Sequence, residues 1–335
     1  MSPPATGATI LGCLGPALSR DEAAFFRAAD PWGFILFARN VESPAQVRRL
    51  TADLREAVGR DAPVFVDQEG GRVQRLRAPH WAEWVPPLDE MARGGPAAMR
   101  LRFRLIAAEL RAAGIDGNCA PTLDIARAET HPFLKNRCYG TTLPAVVAGG
   151  RAVADGLLAG GVLPVMKHMP GHGRAAADTH LDLPTVTTDL ATLEASDFAA
   201  FRALADLPLA MTAHIVFSAI DPDAPATQSV AVIDLIRRRI GFGGLLMTDD
   251  LSMQALSGSL GERAARSVAA GCDVALHCNG KPEEMAPVVE AAGRLTPAGA
   301  ARAAAALALR RVPDPVDTDA LRAEFEALSG GTGHG

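Results

Sequence analysis

Eight short apolar runs, each followed by a longer stretch of helical periodicity, constrain this chain more than any other feature. They are ATILGCLG (8–15), GFILF (33–37), PVFVD (63–67), GNCAPTLDI (117–125), GVLPVMKH (161–168), PLAMTAHI (208–215), GGLLMTDD (243–250) and CDVALHCN (272–279). Their apolarity is continuous rather than alternating, which suits strands buried on both faces. Strands interleaved with helices are the pattern of a parallel sheet with crossover helices. Eight such units close most economically into a single α/β (β/α)8 barrel, a class that runs to about 250 residues or more as one unit. An open doubly wound sheet is the alternative, but no G-x-G-x-x-G follows the first run to support it.

The helices carry their own start signals. In SPAQVRRLTADLREAVG (43–59), Ser43 is placed to cap and Pro44 occupies the first helical position. Further helices are predicted over roughly 96–113, 142–159, 189–205, 229–240, 259–270 and 282–294. The barrel is expected to occupy 1–295, followed over 296–335 by a C-terminal helix and a flexible tail ending in SGGTGHG.

Composition removes several classes of function. A net charge of -5, with arginines scattered rather than clustered, gives no basic face for nucleic acid. Five cysteines, odd in number and without a C-x-x-C pair, fit a reducing compartment. The N-terminus lacks a basic region and a small-residue cleavage site, and no apolar run approaches the roughly 20 residues of a membrane span. The expectation is a cytoplasmic protein with no membrane span and no nucleic-acid partner, its oligomeric state left open.

In a barrel of this type the active site is built at the C-terminal ends of the strands. The polar residues that close the runs are Asp67, Asp124, Lys167 with His168, His214, and Asp249 with Asp250. Neighbouring strand residues face opposite ways, so only one of the two adjacent aspartates points along the barrel axis. Asp250 suits a cap on the following helix, which leaves Asp249 as the reactive carboxylate.

The stretch KHMPGHGRAAADTHLDLP (167–184) concentrates titratable groups on a segment that is neither helix nor strand. A metal site needs three or four ligands in rigid spacing. His168, His172 and His180 are separated by Pro170, Gly171 and Gly173, which break any helix that would align them. No metal or other cofactor is therefore expected. An acid/base pair fits better: in an extended loop Asp178 and His180 face the same way, so the carboxylate can orient the imidazole and support its charged form. A histidine titrates near 6.5 and can exchange a proton at neutral pH without special burial. Roughly 20 residues lie between His168 and the next helix start near Asp189, far beyond an ordinary βα loop, and loops of that length usually serve function.

VDQEGGRVQRL (66–76), APTLDI (120–125), NRCYG (136–140), KHMPGHG with DTH (167–180), TAHIVFS (212–218) and TDDLSM (248–253) together resemble the bacterial β-N-acetylhexosaminidases of glycoside hydrolase family 3. The similarity spans about residues 8–290. It implies a (β/α)8 barrel and a retaining exo-β-N-acetylglucosaminidase working through a glycosyl-aspartate intermediate. Asp249 resembles the nucleophile, His180 the general acid/base and Asp178 its partner. Asp67, Arg75, Arg137, Lys167 and His168 take the substrate-binding positions, and His214 is expected to line the same pocket. The implied substrate is a small carbohydrate: a muropeptide, or N-acetylglucosamine on 1,6-anhydro-N-acetylmuramic acid, in peptidoglycan recycling. Met169, Thr179 and Cys138 replace the usual Phe, Ser and Ser, and none removes a charged or nucleophilic group. The alternatives are a phosphorylase using the same residues, a sugar-binding barrel without activity, and a metal-dependent barrel hydrolase.

Overall fold

The computed structural model describes residues 6–175, 182–313 and 315–330. Among these, eight parallel strands form one sheet: β1 (Gly7–Leu11), β2 (Pro31–Leu36), β3 (Val64–Val66), β4 (Gly117–Asn118), β5 (Leu163–Met169), β6 (Leu209–Thr212), β7 (Leu245–Met247) and β8 (Ala275–His277). They neighbour one another in chain order, and β8 pairs back with β1. A bridge between Met247 and Val274 joins β7 to β8 and closes the barrel. The (β/α)8 architecture read from the sequence is the architecture observed, with every strand but β2 shorter than its apolar run. The fourth run shortens most, because Pro121 has no N–H to give the ladder. Pairing resumes beyond it, where Leu123 donates to the Lys167 carbonyl at 2.7 Å.

The helices are α1 (Arg20–Ala29), α2 (Pro44–Val58), α3 (Pro87–Arg93), α4 (Gly95–Ala112), α5 (Pro132–Lys135), α6 (Leu143–Ala159), α7 (Leu190–Ala195), α8 (Asp197–Ala203), α9 (Val230–Leu235), α10 (Leu260–Ala270), α11 (Pro282–Ala292), α12 (Pro297–Leu307) and α13 (Thr318–Leu328). Ser43 caps α2 through the Gln46 amide with Pro44 next to it, as its sequence signal indicates. Ser19 with Glu22 and Ser259 with Glu262 form reciprocal capping boxes on α1 and α10. None of these helices is long and apolar enough to cross a membrane.

Even where both faces of a strand are apolar, the side chains sort by parity. Phe34, Leu36, Val64 and Val66 pack outward in the layer shared with α2 and α4. Met166, Ala210 and Leu246 join the outer layer under α6, α8 and α9. Ile35, Phe65, Val165, Met211 and Met247 belong to a different cluster and fill the barrel interior. This parity decides which strand-end residues reach the site.

Past the barrel, α13 lies on α4, and Phe325 is buried with its ring 5.4 Å from Trp84 in an edge-on contact. The C-terminal segment is thus a packed helix as far as it is described.

Candidate active site

Two residues beyond the inward-facing Phe65, Val165 and Met247 stand Asp67, Lys167 and Asp249. All three line one cleft at the C-terminal end of the barrel, together with Arg75, Arg137 and His168. The cleft spans about 860 Å³ including its open mouth. A two-stranded ribbon, Gln68–Gly70 with Val73–Gln74, follows β3 and carries Glu69 and Arg75 to the same place. The Lys167–His168 peptide is cis.

A chain of ion pairs crosses the cleft floor. Asp67 accepts from Arg75 Nη2 at 3.0 Å and from Lys167 Nζ at 2.9 Å. Lys167 Nζ also lies 2.6 Å from Glu69 Oε1, and Glu69 in turn takes a two-pronged bond from Arg137 at 2.8 and 2.9 Å. Burial alone pushes both carboxyls up, yet the cations outweigh it. Lys167 and Arg75 hold Asp67 far below the carboxylate range, and Arg137 with Lys167 brings Glu69 down to about 2. Burial likewise opposes the charge on Lys167, but Asp67 and Glu69 keep its pKa above the ordinary lysine value. Glu69 is essentially inaccessible, and the sequence reading passes over it. The signal was there in the spacing, because positions 65, 67 and 69 continue one parity past the strand end.

Asp124 was a strand-end candidate without an assigned role. It is buried and accepts from His168 Nδ1 at 2.8 Å and from the His172 backbone N–H at 2.6 Å. The carboxylate fixes the His168 tautomer so that Nε2 is the free nitrogen, and it ties down the start of the long β5 loop. Burial and the neighbouring His168 bring His172 down to about 4, so its imidazole is neutral. The loop stem is also held where Ala175 accepts from the His131 N–H at 3.2 Å and where Arg174 pairs with Asp197 at 2.8 Å. Asp178 and His180 lie outside the described residues.

Asp249 is half-buried and opens on the cleft, and its Oδ1 accepts from the Asp250 N–H at 2.8 Å. Burial pushes its carboxyl up. His168, His214, the Asp250 amide and Lys167 act in the opposite direction, and the balance keeps Asp249 below the ordinary carboxylate range. A group so held is ionised at neutral pH and able to attack an electrophilic carbon.

Two expectations need correction. Asp250 does not cap the next helix, because residues 251–257 form turns and Ser259 caps α10 instead. Its carboxylate accepts from the Ser252 N–H at 3.1 Å, the Ser252 hydroxyl at 2.6 Å and the Cys278 N–H at 3.2 Å. His214 does not line the cleft. Met211 faces inward, so residue 214 has the opposite parity. The imidazole is fully buried behind β7, with Nδ1 on the Thr227 hydroxyl at 2.8 Å and Nε2 on the Asp250 carbonyl at 3.1 Å.

At the mouth, Phe37 and Phe133 form the apolar walls. Arg39 and Arg75 each lie 5.1 Å from the Phe37 ring centre, and Arg137 lies 5.8 Å from that of Phe133. Arg39 is pinned by the carbonyls of Cys13 and Cys278 at the ends of β1 and β8. Cys138 and Met169 are buried packing residues. Among the described residues no group of three His, Cys, Asp or Glu side chains converges on a metal position.

Comparison with known proteins agrees with this geometry. The glycosyl hydrolase family 3 N terminal domain matches residues 17–312. A β-hexosaminidase of Methylococcus capsulatus is 38% identical over 322 residues, covering 93% of this chain and 94% of its own. NagZ from Neisseria gonorrhoeae, solved with N-trifluoroacetyl-D-glucosamine, superposes with a TM-score of 0.85 at 29% identity over 97% of this chain and 99% of its own. A family 3 β-N-acetylglucosaminidase from Paenibacillus gives 0.86 at 31% identity, covering 96% of this chain and 67% of the larger one. With a barrel of this topology and a carboxylate cleft at its C-terminal end, the chain belongs to glycoside hydrolase family 3, alongside relatives named β-hexosaminidase.

Proposed function

We propose that the protein is a retaining exo-β-N-acetylglucosaminidase in which Asp249 is the nucleophile and His180, oriented by Asp178, is the general acid and base. The observation that carries this reading is the ionised Asp249 facing the Asp67–Lys167–Glu69–Arg137 ion chain within one cleft. Retaining hydrolysis needs one carboxylate to attack the anomeric carbon and one acid to protonate the leaving oxygen. Among the described residues, the other carboxylates at the cleft are already engaged: Asp67 and Glu69 by cations, Asp124 by His168, and Asp250 by Ser252. Despite their burial, neighbouring cations hold Asp67 and Glu69, and His168 holds Asp124, below the ordinary carboxylate range, the opposite of what an acid requires. That pattern fits an acid supplied by a histidine on the loop that follows β5, whose start Asp124 holds.

In this account Asp67, Lys167 and Arg137 hold the hydroxyl and acetamido groups of the terminal sugar, with Arg75 setting Asp67 and His168 presenting Nε2. Asp249 attacks as positive charge develops at the anomeric carbon, and the C–O bond to the aglycone breaks. The proton on His180 goes to that oxygen. Water, deprotonated by the same imidazole, then releases the sugar from Asp249. The substrate proposed is a peptidoglycan fragment, N-acetylglucosamine on 1,6-anhydro-N-acetylmuramic acid with or without peptide. The aromatic walls at the mouth suit an aglycone with an apolar face.

The test is hydrolysis of 4-nitrophenyl and alkyl N-acetyl-β-D-glucosaminides by wild type, Asp249→Ala and His180→Ala. Asp249→Ala is expected to lose at least about 10³-fold in kcat on both, whereas His180→Ala keeps far more activity on the activated 4-nitrophenyl leaving group. Equal rates in all three proteins would remove the reading. Release of a sugar 1-phosphate when phosphate is present would assign phosphorolysis instead.

A further inference from the structure

We propose that His214 is a positioning residue for Asp249, acting through the backbone of Asp250. The proposal rests on the reading of Asp249 as nucleophile.

A carbonyl oxygen only accepts, so the 3.1 Å contact between His214 Nε2 and the Asp250 carbonyl requires the hydrogen on Nε2. Burial lowers the imidazole pKa against the opposing pull of Asp249, so the ring is neutral at neutral pH. Nδ1 is then an acceptor and takes the Thr227 hydroxyl proton across 2.8 Å. The Thr227 oxygen in turn accepts from the Thr212 hydroxyl at 2.9 Å. The Ala213 carbonyl, 3.0 Å from Thr227 Oγ1, is a second acceptor within reach of the same hydroxyl. The Asp250 carbonyl therefore fixes the tautomer of the neutral ring, with Nε2 protonated and Nδ1 turned to the Thr227 hydroxyl.

What this chain holds is a residue clamped on several sides. The Asp250 carbonyl is held by His214, and its carboxylate by Ser252 and the Cys278 N–H. So clamped, Asp250 presents its N–H to Asp249 Oδ1 at 2.8 Å, which restrains one carboxylate oxygen and leaves the other to react. A preorganised nucleophile needs no reorientation at the moment of attack. The imidazole does not line the cleft and reaches it only through the Asp250 backbone, so its effect belongs to the chemical step rather than to sugar binding.

The experiment compares kcat and KM for 4-nitrophenyl N-acetyl-β-D-glucosaminide in wild type, Asp249→Ala, His214→Ala and His214→Gln, with thermal unfolding recorded for each. His214→Ala is expected to lower kcat about tenfold or more, the order of one buried hydrogen bond, while KM stays within about twofold. His214→Gln, whose amide N–H reaches the position of Nε2–H, is expected to recover most of that loss. A folded His214→Ala with wild-type kcat, a loss confined to KM, or a Gln variant no better than Ala would each overturn the proposal. Should His214→Ala not fold, Thr227→Ser against Thr227→Val decides: a lower kcat in Val supports the relay, and equal values overturn it. An active Asp249→Ala would instead remove the nucleophile reading. An inactive Asp249→Ala beside a fully active His214→Ala removes only this inference.

Discussion

Glu69 shows how one side chain sets the state of several others. Its carboxylate is shared by Lys167 and Arg137 in a buried site, where losing one partner strands the opposite charges. Glu69→Gln is expected to cost about 3 kcal/mol of stability at pH 7 and to raise KM, read from urea unfolding and from initial rates. The pH dependence has a definite sign. A carboxyl held at about 2 in the folded chain against an ordinary 4.5 contributes stability that is complete above about 4.5 and is lost as pH falls toward 2. Asp67, held lower still, adds to the same acid limb. The unfolding midpoint of Glu69→Gln should therefore fall less steeply between pH 5 and 3 than that of wild type. An unchanged slope would mean that the ion chain is not what acid dismantles.

At the scale of elements, parity converts sequence into a site. The eight runs were legible because buried parallel strands must be apolar on both faces, and their order alone implies the barrel. Their ends were also legible: Asp67, Lys167 and Asp249 close inward-facing registers and reach the cleft. His214 was misplaced because a strand-ending histidine was counted without its register relative to Met211. Asp250 was misread because the turn segment before α10 gives no helical signal until Ser259. α10 then steadies that segment, as Arg263 donates to the Leu251 carbonyl at 2.7 Å and the Met253 carbonyl at 3.0 Å. Ser259→Ala removes the cap of α10 and is expected to cost about 1 kcal/mol in thermal unfolding with little change in KM. A loss of several kcal/mol would show that the capping box carries more than the helix terminus.

Over the whole molecule, the C-terminal helix is coupled to the cleft floor. Phe325 on α13 packs on Trp84, and the buried Arg102 lies 5.5 Å from the Trp84 ring and donates to the Glu69 carbonyl at 2.5 Å. Ser329 adds a hydroxyl bond to Glu90 at 2.6 Å. This route was not legible in the sequence, because an Ala/Arg-rich stretch followed by a short amphipathic helix does not say which surface it will cover. Phe325→Ala is expected to destabilise the protein by about 3–5 kcal/mol, measured by denaturant unfolding, since it empties a buried aromatic site. A change under about 1 kcal/mol would show α13 to be a loosely attached appendage.

The covalent bond from Asp249 to sugar is the step that sets the proposed reaction apart. The decisive measurement is the mass of the peptide bearing Asp249 after brief reaction with a 5-fluoro N-acetylglucosaminyl fluoride, which slows turnover of a glycosyl-enzyme. The account predicts one added sugar on that peptide, mapped to Asp249 by fragmentation and absent in Asp249→Ala. Full turnover of ordinary substrate with no sugar ever trapped, or with the label on another residue, would contradict it.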